Sequence, residues 1–307
     1  MAFITPYKIT LTTNGKVYQL NGTDPITGYE FNYQGDGGFG LSPLHRITQR
    51  GTFQQGDFDT DFRLDPRVLS LPLLVMSPNL SDHYQKRDAI LKIFTPSNTP
   101  AILTVTVGVA LGDDFVRSIS VMILGGLTFD HVPGAGYDIR FVVQLRAADP
   151  TWYDPTGLTV STSAAIAGTP TPYPKPYPVP YGVSALSGNT KITYGGSWQS
   201  YPIITATGPI TGLLITNQST GAVISVPGVI PAGRTWTFNL LYGYKTVTDD
   251  LGVNQIAAVT AASDLATFAI VPAPAVSDGV NIITATGTVT TGASATSLFY
   301  FNRYVGV

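Results

Sequence analysis

The chain has 307 residues and no cysteine. Disulfides and thiolate metal sites are therefore excluded, and the fold is indifferent to redox compartment. Charge is also scarce. Only 12% of residues are Asp, Glu, Lys or Arg, about half of the roughly 25% usual for soluble domains. Glu30 is the single glutamate, and His45, His83 and His131 are the only histidines. No HxH or HxxxH spacing and no Gly-x-Ser-x-Gly elbow occurs, so acid–base, metal and nucleophilic chemistry have few candidate groups. No catalytic residue, cofactor or metal site is expected, and the protein is not expected to be an enzyme.

Long runs are missing too. No Lys/Arg-rich segment exists, which argues against a nucleic-acid clamp. The most apolar stretches, LPLLVM and AILTVTVGVAL, are too short to span a bilayer as a helix. The N-terminal MAFITPYKIT lacks a basic region followed by an apolar core, so no secretory signal and a cytoplasmic origin are expected. A net charge of −2 leaves little to keep copies apart in solution. Two readings fit: much of the surface is covered by partners, or the surface is a neutral Thr/Ser coat.

Thr, Val, Tyr, Gly and Pro are abundant. This composition favours strands and turns over helices, so the class is mainly β. Asn14-Gly15 and Asn21-Gly22, flanked by alternating runs, predict an early hairpin. Strands are predicted at 57–64, 67–76, 101–109, 115–124 and 137–147. One segment, SPNLSDHYQKRDAILKIFTP, predicts a helix from about Asn79 to Phe94. Ser77 or Asn79 caps it and Pro96 stops it. Tyr84, Ile90, Leu91 and Phe94 form its apolar stripe, with Lys86, Arg87 and Lys92 facing water.

The chain reads as a β-rich domain with one packed helix over 1–154, a connector over 155–181, and a β-sandwich over 182–307. The connector contains GTPTPYPKPYPVPYG, whose prolines favour an extended, semi-rigid path. Short strands at close spacing after residue 182 suggest the sandwich. In one of them Trp236, Phe238 and Leu240 share a face.

Three motifs invite a chemical reading. QGDGGFGLSP fits G-x-G-x-x-G, but the strand before it alternates and no amphipathic helix follows, so it reads as a loop and not a dinucleotide site. GDFDTDFRLDPR opens like a calcium loop, yet Phe62 and Val68 stand where an EF-hand needs glycine and glutamate. A strand explains it better, with Phe58, Thr60 and Phe62 on one face and Asp57, Asp59 and Asp61 on the other. Such a row of like charges needs solvent, cations such as Arg63 or Arg67, or a functional reason. Trp152, Trp198 and Trp236 read first as packing residues, with Trp198 the candidate for a sugar platform.

These pieces, in this order, resemble the distal tail protein family of long-tailed, non-contractile bacteriophages. The resemblance rests on GDGGFG, RGTFQQGDFDTDFRLDPRVLSLPLLV, YQKRDAILKIF and VQLRAADPTWYDP. The second half is similar to that family's galectin-like or carbohydrate-module-like sandwich. The resemblance implies a homo-hexameric ring at the end of the tail tube, a hub in the virion's tail tip. Its partners are the tail tube protein and tail-tip, baseplate or receptor-binding proteins. DNA passes through the channel without specific binding, and there is no membrane insertion.

It further implies that Asp36 and Phe39 of the glycine loop, and Asp57, Asp59, Asp61, Arg63 and Arg67, lie at a ring or tube interface or along the channel. The alternative function is a glycan-binding module acting in adsorption through Trp198.

Overall fold

The computed structural model describes residues 7–35, 38–108, 115–130, 136–163, 184–289 and 294–307. The chain is mainly β, with one α-helix among the described residues. It divides into two units. The first holds residues 1–155 and takes back the C-terminal residues 304–307; the second holds residues 156–303.

In the first unit the strands are β1 (Tyr7–Thr13), β2 (Lys16–Gln19), β3 (Gly22–Thr23), β4 (Glu30–Tyr33), β5 (Leu44–Gln49), β6 (Phe58–Leu64), β7 (Arg67–Val75), β8 (Ala101–Val107), β9 (Phe115–Ile123), β10 (Phe129–Asp130), β11 (Ile139–Ala147) and β12 (Trp152–Tyr153), with helix α1 (Leu80–Ile93) between β7 and β8. The main sheet runs β2-β1-β8-β9-β11-β7-β4-β3, with β10 on β11 and β12 on β9. Strict alternation explains its inner face. In β11 every second residue from Ile139 to Ala147 is buried, and in β7 Leu69, Leu71, Leu73 and Val75 are buried. These pack with Ile9, Leu11, Leu103, Val105 and Phe141 into one core. The predicted strands at 57–64, 67–76, 101–109 and 115–124 correspond to β6, β7, β8 and β9.

Helix α1 begins where its capping residue allows. Asn79 is extended and its side-chain oxygen accepts the Asp82 amide at 2.9 Å, satisfying one of the free first-turn donors. Its buried face differs from the expected stripe. Ile90, Ile93 and Phe94 are buried, whereas Tyr84 and Leu91 are exposed. Lys86 does not face water freely: its Nζ donates to the Met76 carbonyl at 2.8 Å and pairs with Asp82 at 2.8 Å. The true inner face therefore follows 86, 90 and 93, rotated from the stripe drawn through Tyr84 and Leu91.

The second unit comprises β13 (Leu158–Ser163), β14 (Ser184–Thr193), β15 (Ile203–Thr207), β16 (Ile210–Asn217), β17 (Ala222–Ile230), β18 (Thr235–Asn239), β19 (Thr246–Asp249), β20 (Val280–Val289) and β21 (Ala295–Tyr300). One antiparallel sheet is ordered β13-β21-β15-β18-β19 and the other β14-β20-β16-β17. Their inner faces, with Ile204, Trp236, Phe238 and Leu298 from the first and Ile192, Ile215, Ile224 and Ile283 from the second, form one core, so the unit is a β-sandwich.

The connector differs from the sequence reading. Residues 158–163, placed inside it, form β13 and pair with β21 from Leu158↔Tyr300 to Ser163↔Ala295. The LTVSTS alternation outcompetes the nearby prolines because none falls within it. Residues 164–181, with the Pro/Tyr run, lie outside the described residues.

Candidate assembly surface

Strands β5 and β6 form a two-stranded sheet of their own. Residues 44–49 and 58–63 are all exposed. Large apolar side chains stand in solvent along this hairpin: Phe53 is 100% exposed, Phe58 62%, Phe62 46%, Leu44 45% and Ile47 44%. An isolated two-stranded hairpin is marginal in water, and clustered exposed apolar groups mark a contact surface.

A bulge decides which residues share a face. The register runs Arg46↔Phe62 and Ile47↔Asp61, then slips to Thr48↔Asp59 and Gln49↔Phe58, leaving Thr60 as the extra residue. Directly opposed residues share a face. One face therefore holds Leu44, Arg46, Phe62 and Asp59, and the other holds His45, Ile47, Asp61, Arg63 and Phe58. Arg46 accordingly pairs with Asp59 at 2.9 Å. The expected row of three aspartates opposite Phe58 and Phe62 does not form, because the bulge reverses the alternation after Thr60. Asp57 is exposed just before β6, and Arg63 pairs with Asp65 at 3.5 Å.

Two other expected surface residues are core residues. Phe39 is 7% exposed, with its ring 5.9 Å from Tyr33 and edge-on to Trp152 at 5.7 Å. It anchors the glycine loop instead of projecting from it. Arg67 is 2% exposed because it opens β7 in the inward phase. Its guanidinium donates to Ser42 Oγ (2.6 Å from Nη2), the Gly40 carbonyl (3.0 Å) and the Val305 carbonyl (2.7 Å). Burial holds its pKa below the ordinary arginine value. Arg67 is thus no partner for the hairpin aspartates. Asp36 lies outside the described residues.

Sequence reasoning missed a second feature. On the outside of α1, Leu80, His83, Tyr84 and Arg87, with Phe129, Gly136 and Tyr137, line an open hollow of about 370 Å³. The Arg87 guanidinium carbon lies 4.7 Å above the Phe129 ring, a cation–π contact. The sequence carries Leu80, Tyr84 and Arg87 at helical spacing, yet the apolar stripe expected from it turns Tyr84 inward.

In the second unit Trp198 is half-buried. Its backbone bridges Arg303, and its carbonyl accepts the Tyr194 hydroxyl at 2.6 Å. Trp152 and Trp236 are buried. Among the described residues no group of three His, Asp or Glu side chains is placed to hold a metal ion. No helix among them is long and apolar enough to cross a membrane.

A β-rich unit with one capped helix and a projecting hairpin, followed by a sandwich, defines a class. Residues 5–132 match the phage tail protein RIFT-related domain. The chain as a whole is similar to the Dit protein of phage SPP1, described as a paradigm of the hub adsorption apparatus in phages infecting Gram-positive bacteria. The TM-score is 0.63 at 14% identity, over 96% of this chain and 98% of that one. A chain of the phage p2 baseplate in its activated, strontium-bound conformation matches with a TM-score of 0.46 at 12% identity, over 96% and 97% of the two chains. No curated protein sequence matches. The resemblance to the distal tail family, drawn from the sequence, is borne out by the domain match and the shared fold.

Proposed function

We propose that this protein is a structural hub of the virion: a homo-hexameric ring at the distal end of the tail tube. It joins the tube to tail-tip, baseplate or receptor-binding proteins and lets DNA pass through its channel without specific binding. Assembly takes place in the host cytoplasm from soluble subunits.

The observation that carries this reading is the β5–β6 hairpin, which among the described residues is hydrogen-bonded to no other sheet and exposes Phe53, Phe58 and Phe62. A surface of this kind is completed by another chain. The low charge of the whole chain agrees, since interface cores are depleted of charge. On this reading Asp57, Asp59, Asp61 and Arg63 belong to a subunit or tube interface. The matched tail domain and the fold shared with a hub protein support it.

Light scattering behind a sizing column, followed by negative-stain imaging, tests the proposal. Six-fold rings are expected. Strict monomers, alone and after mixing with tail tube protein, would sink it.

A further inference from the structure

We infer that the hollow outside α1 binds a phosphate- or carboxylate-bearing sugar, with Arg87 holding the anion and the Tyr84 and Tyr137 rings covering the apolar face of the sugar. This ligand site goes beyond the ring reading and does not depend on it.

The charge of the hollow follows from which charges on α1 are already matched. The acidic residues of the helix are Asp82 and Asp88. Asp82 pairs with Lys86 at 2.8 Å and Asp88 with Lys92 at 2.6 Å, each one turn further on. Arg87 is left over. Among the described residues no ion pair or hydrogen bond takes up its guanidinium, whose carbon lies 4.7 Å above the Phe129 ring. Stacking on a ring face does not use the in-plane N–H donors, which stay available to another partner. No residue lining the hollow is acidic. Asp138, next to Tyr137, accepts the Ser77 amide at 3.4 Å. An unmatched guanidinium with no carboxylate beside it suits an anion that it can grip with two N–H groups.

The walls indicate what the anion is attached to. The hollow is open and holds about 370 Å³, within the range of small-ligand sites. Tyr84 is 60% exposed and Tyr137 45%. Each tyrosine offers an apolar ring face with a hydroxyl at its edge. A sugar ring offers the complementary surface, a C–H face bordered by hydroxyls. His83 adds a polar contact and order. Its Nδ1–H donates to the Tyr137 carbonyl at 2.8 Å, which leaves Nε2 to accept from a sugar hydroxyl. Its ring also stands edge-on to Tyr84 at 5.4 Å. The same hydrogen bond ties α1 to the backbone at Tyr137, so both walls are in place before a ligand arrives, which lowers the ordering cost of binding.

Saturation-transfer NMR on the full-length chain tests the site, with glucose 6-phosphate, glucuronate, glucose, inorganic phosphate and AMP as probes. A saturable signal on the ring C–H protons of glucose 6-phosphate, glucuronate or both is expected, and a response to one alone names the anion. Glucose is expected to bind about tenfold more weakly or worse, and Arg87→Gln to weaken the anionic sugars by about the same factor. Tyr84→Ala should remove most of the ring-proton signal. Arg87 and Tyr84 are exposed, so unchanged melting curves verify folding. The inference is overturned by no saturable signal from either anionic sugar, by glucose binding as tightly, or by an unaffected Arg87→Gln variant. Inorganic phosphate binding as tightly as glucose 6-phosphate overturns it in favour of a bare anion contact. AMP binding more tightly than both sugars overturns it in favour of a nucleotide site. None of these outcomes touches the ring reading, which light scattering and imaging test separately.

Discussion

Arg67 Nη2 donates to the carbonyl of Val305 at 2.7 Å, across 238 residues of chain. The same guanidinium holds Gly40 and Ser42, and its carbon lies 5.9 Å from the Trp152 ring centroid. One buried cation thereby fastens the glycine loop and the C-terminal tail to the core of the first unit.

Arg67→Met is therefore expected to destabilise the first unit by about 3 kcal/mol, because it strands several buried acceptors at once. Arg67→Lys recovers little, since one ammonium cannot reach three acceptors in fork geometry. Urea unfolding measures the loss. Removing Tyr304–Val307 should destabilise in the same direction, because Arg117 also stacks on Tyr304 at 3.6 Å.

Asn217 and Asn281 form a buried amide pair in the second unit. Asn217 Nδ2 donates to the Ala269 carbonyl and to Asn281 Oδ1, and Asn281 Nδ2 donates to the carbonyls of Val271 and Gly279. The pair ties the irregular 264–271 segment to the sheet. Asn281→Leu leaves these groups unpaired and is expected to cost about 2–4 kcal/mol in thermal or urea unfolding. Neighbouring exposed substitutions such as Ile282→Thr should stay within about 0.5 kcal/mol.

Asp249 should set an acid limit. Burial alone pushes its carboxyl up, but hydrogen bonds from the Val253 amide, Gln255, the Leu251 amide and Arg234 outweigh that and hold its pKa below the ordinary 3.8. A depressed carboxyl pKa contributes stability that is fully present above the unfolded value and is lost as pH falls through the folded one. The stability gap between wild type and Asp249→Asn is expected to be constant above about pH 5 and to shrink below about pH 4. Chemical denaturation across that range measures it.

Lys245 should act in the opposite pH range. Desolvation lowers its pKa to about 8, while the Tyr201 ring 3.8 Å from Nζ favours the cation and offsets part of the loss. The unfolded chain binds this proton more tightly than the folded one. Stability therefore rises as pH climbs from about 8 towards the unfolded value of 10.5. Lys245→Met is expected to remove that slope in melts between pH 7 and 10.

The hairpin separates assembly from folding. Phe58→Ser with Ile47→Ser is expected to leave the monomer's melting temperature within about one degree, since neither side chain contributes to the core. The same variant should assemble at least tenfold less readily in sedimentation velocity, because it removes apolar area needed only at the contact.

Much of the first unit was legible. Strict alternation in RVLSLPLLV and IRFVVQLRA specifies both the strand and its buried face, because a strand's period of two leaves no other solution. The Asn79 cap and the Pro96 stop bracket α1 for equally local reasons. The helix's inner face was less legible. Tyr84 and Leu91 are apolar at helical spacing, yet apolar character alone does not say whether a side chain meets its own core or another chain. Composition also hid Arg67, which reads as a surface cation until the inward phase of β7 and the returning tail are known.

By itself the sequence determined the β class, the helix, and the strands of the sandwich that follow the proline run. All of these follow from local periodicity, capping and turn chemistry. Only the tertiary structure decided that Phe39 and Arg67 are internal, that a bulge at Thr60 turns Asp59 away from Asp61, and that α1 leaves an arginine-floored hollow open. Each depends on register or on contacts between distant segments, where a one-residue slip or a returning tail changes what a side chain meets without changing the local pattern.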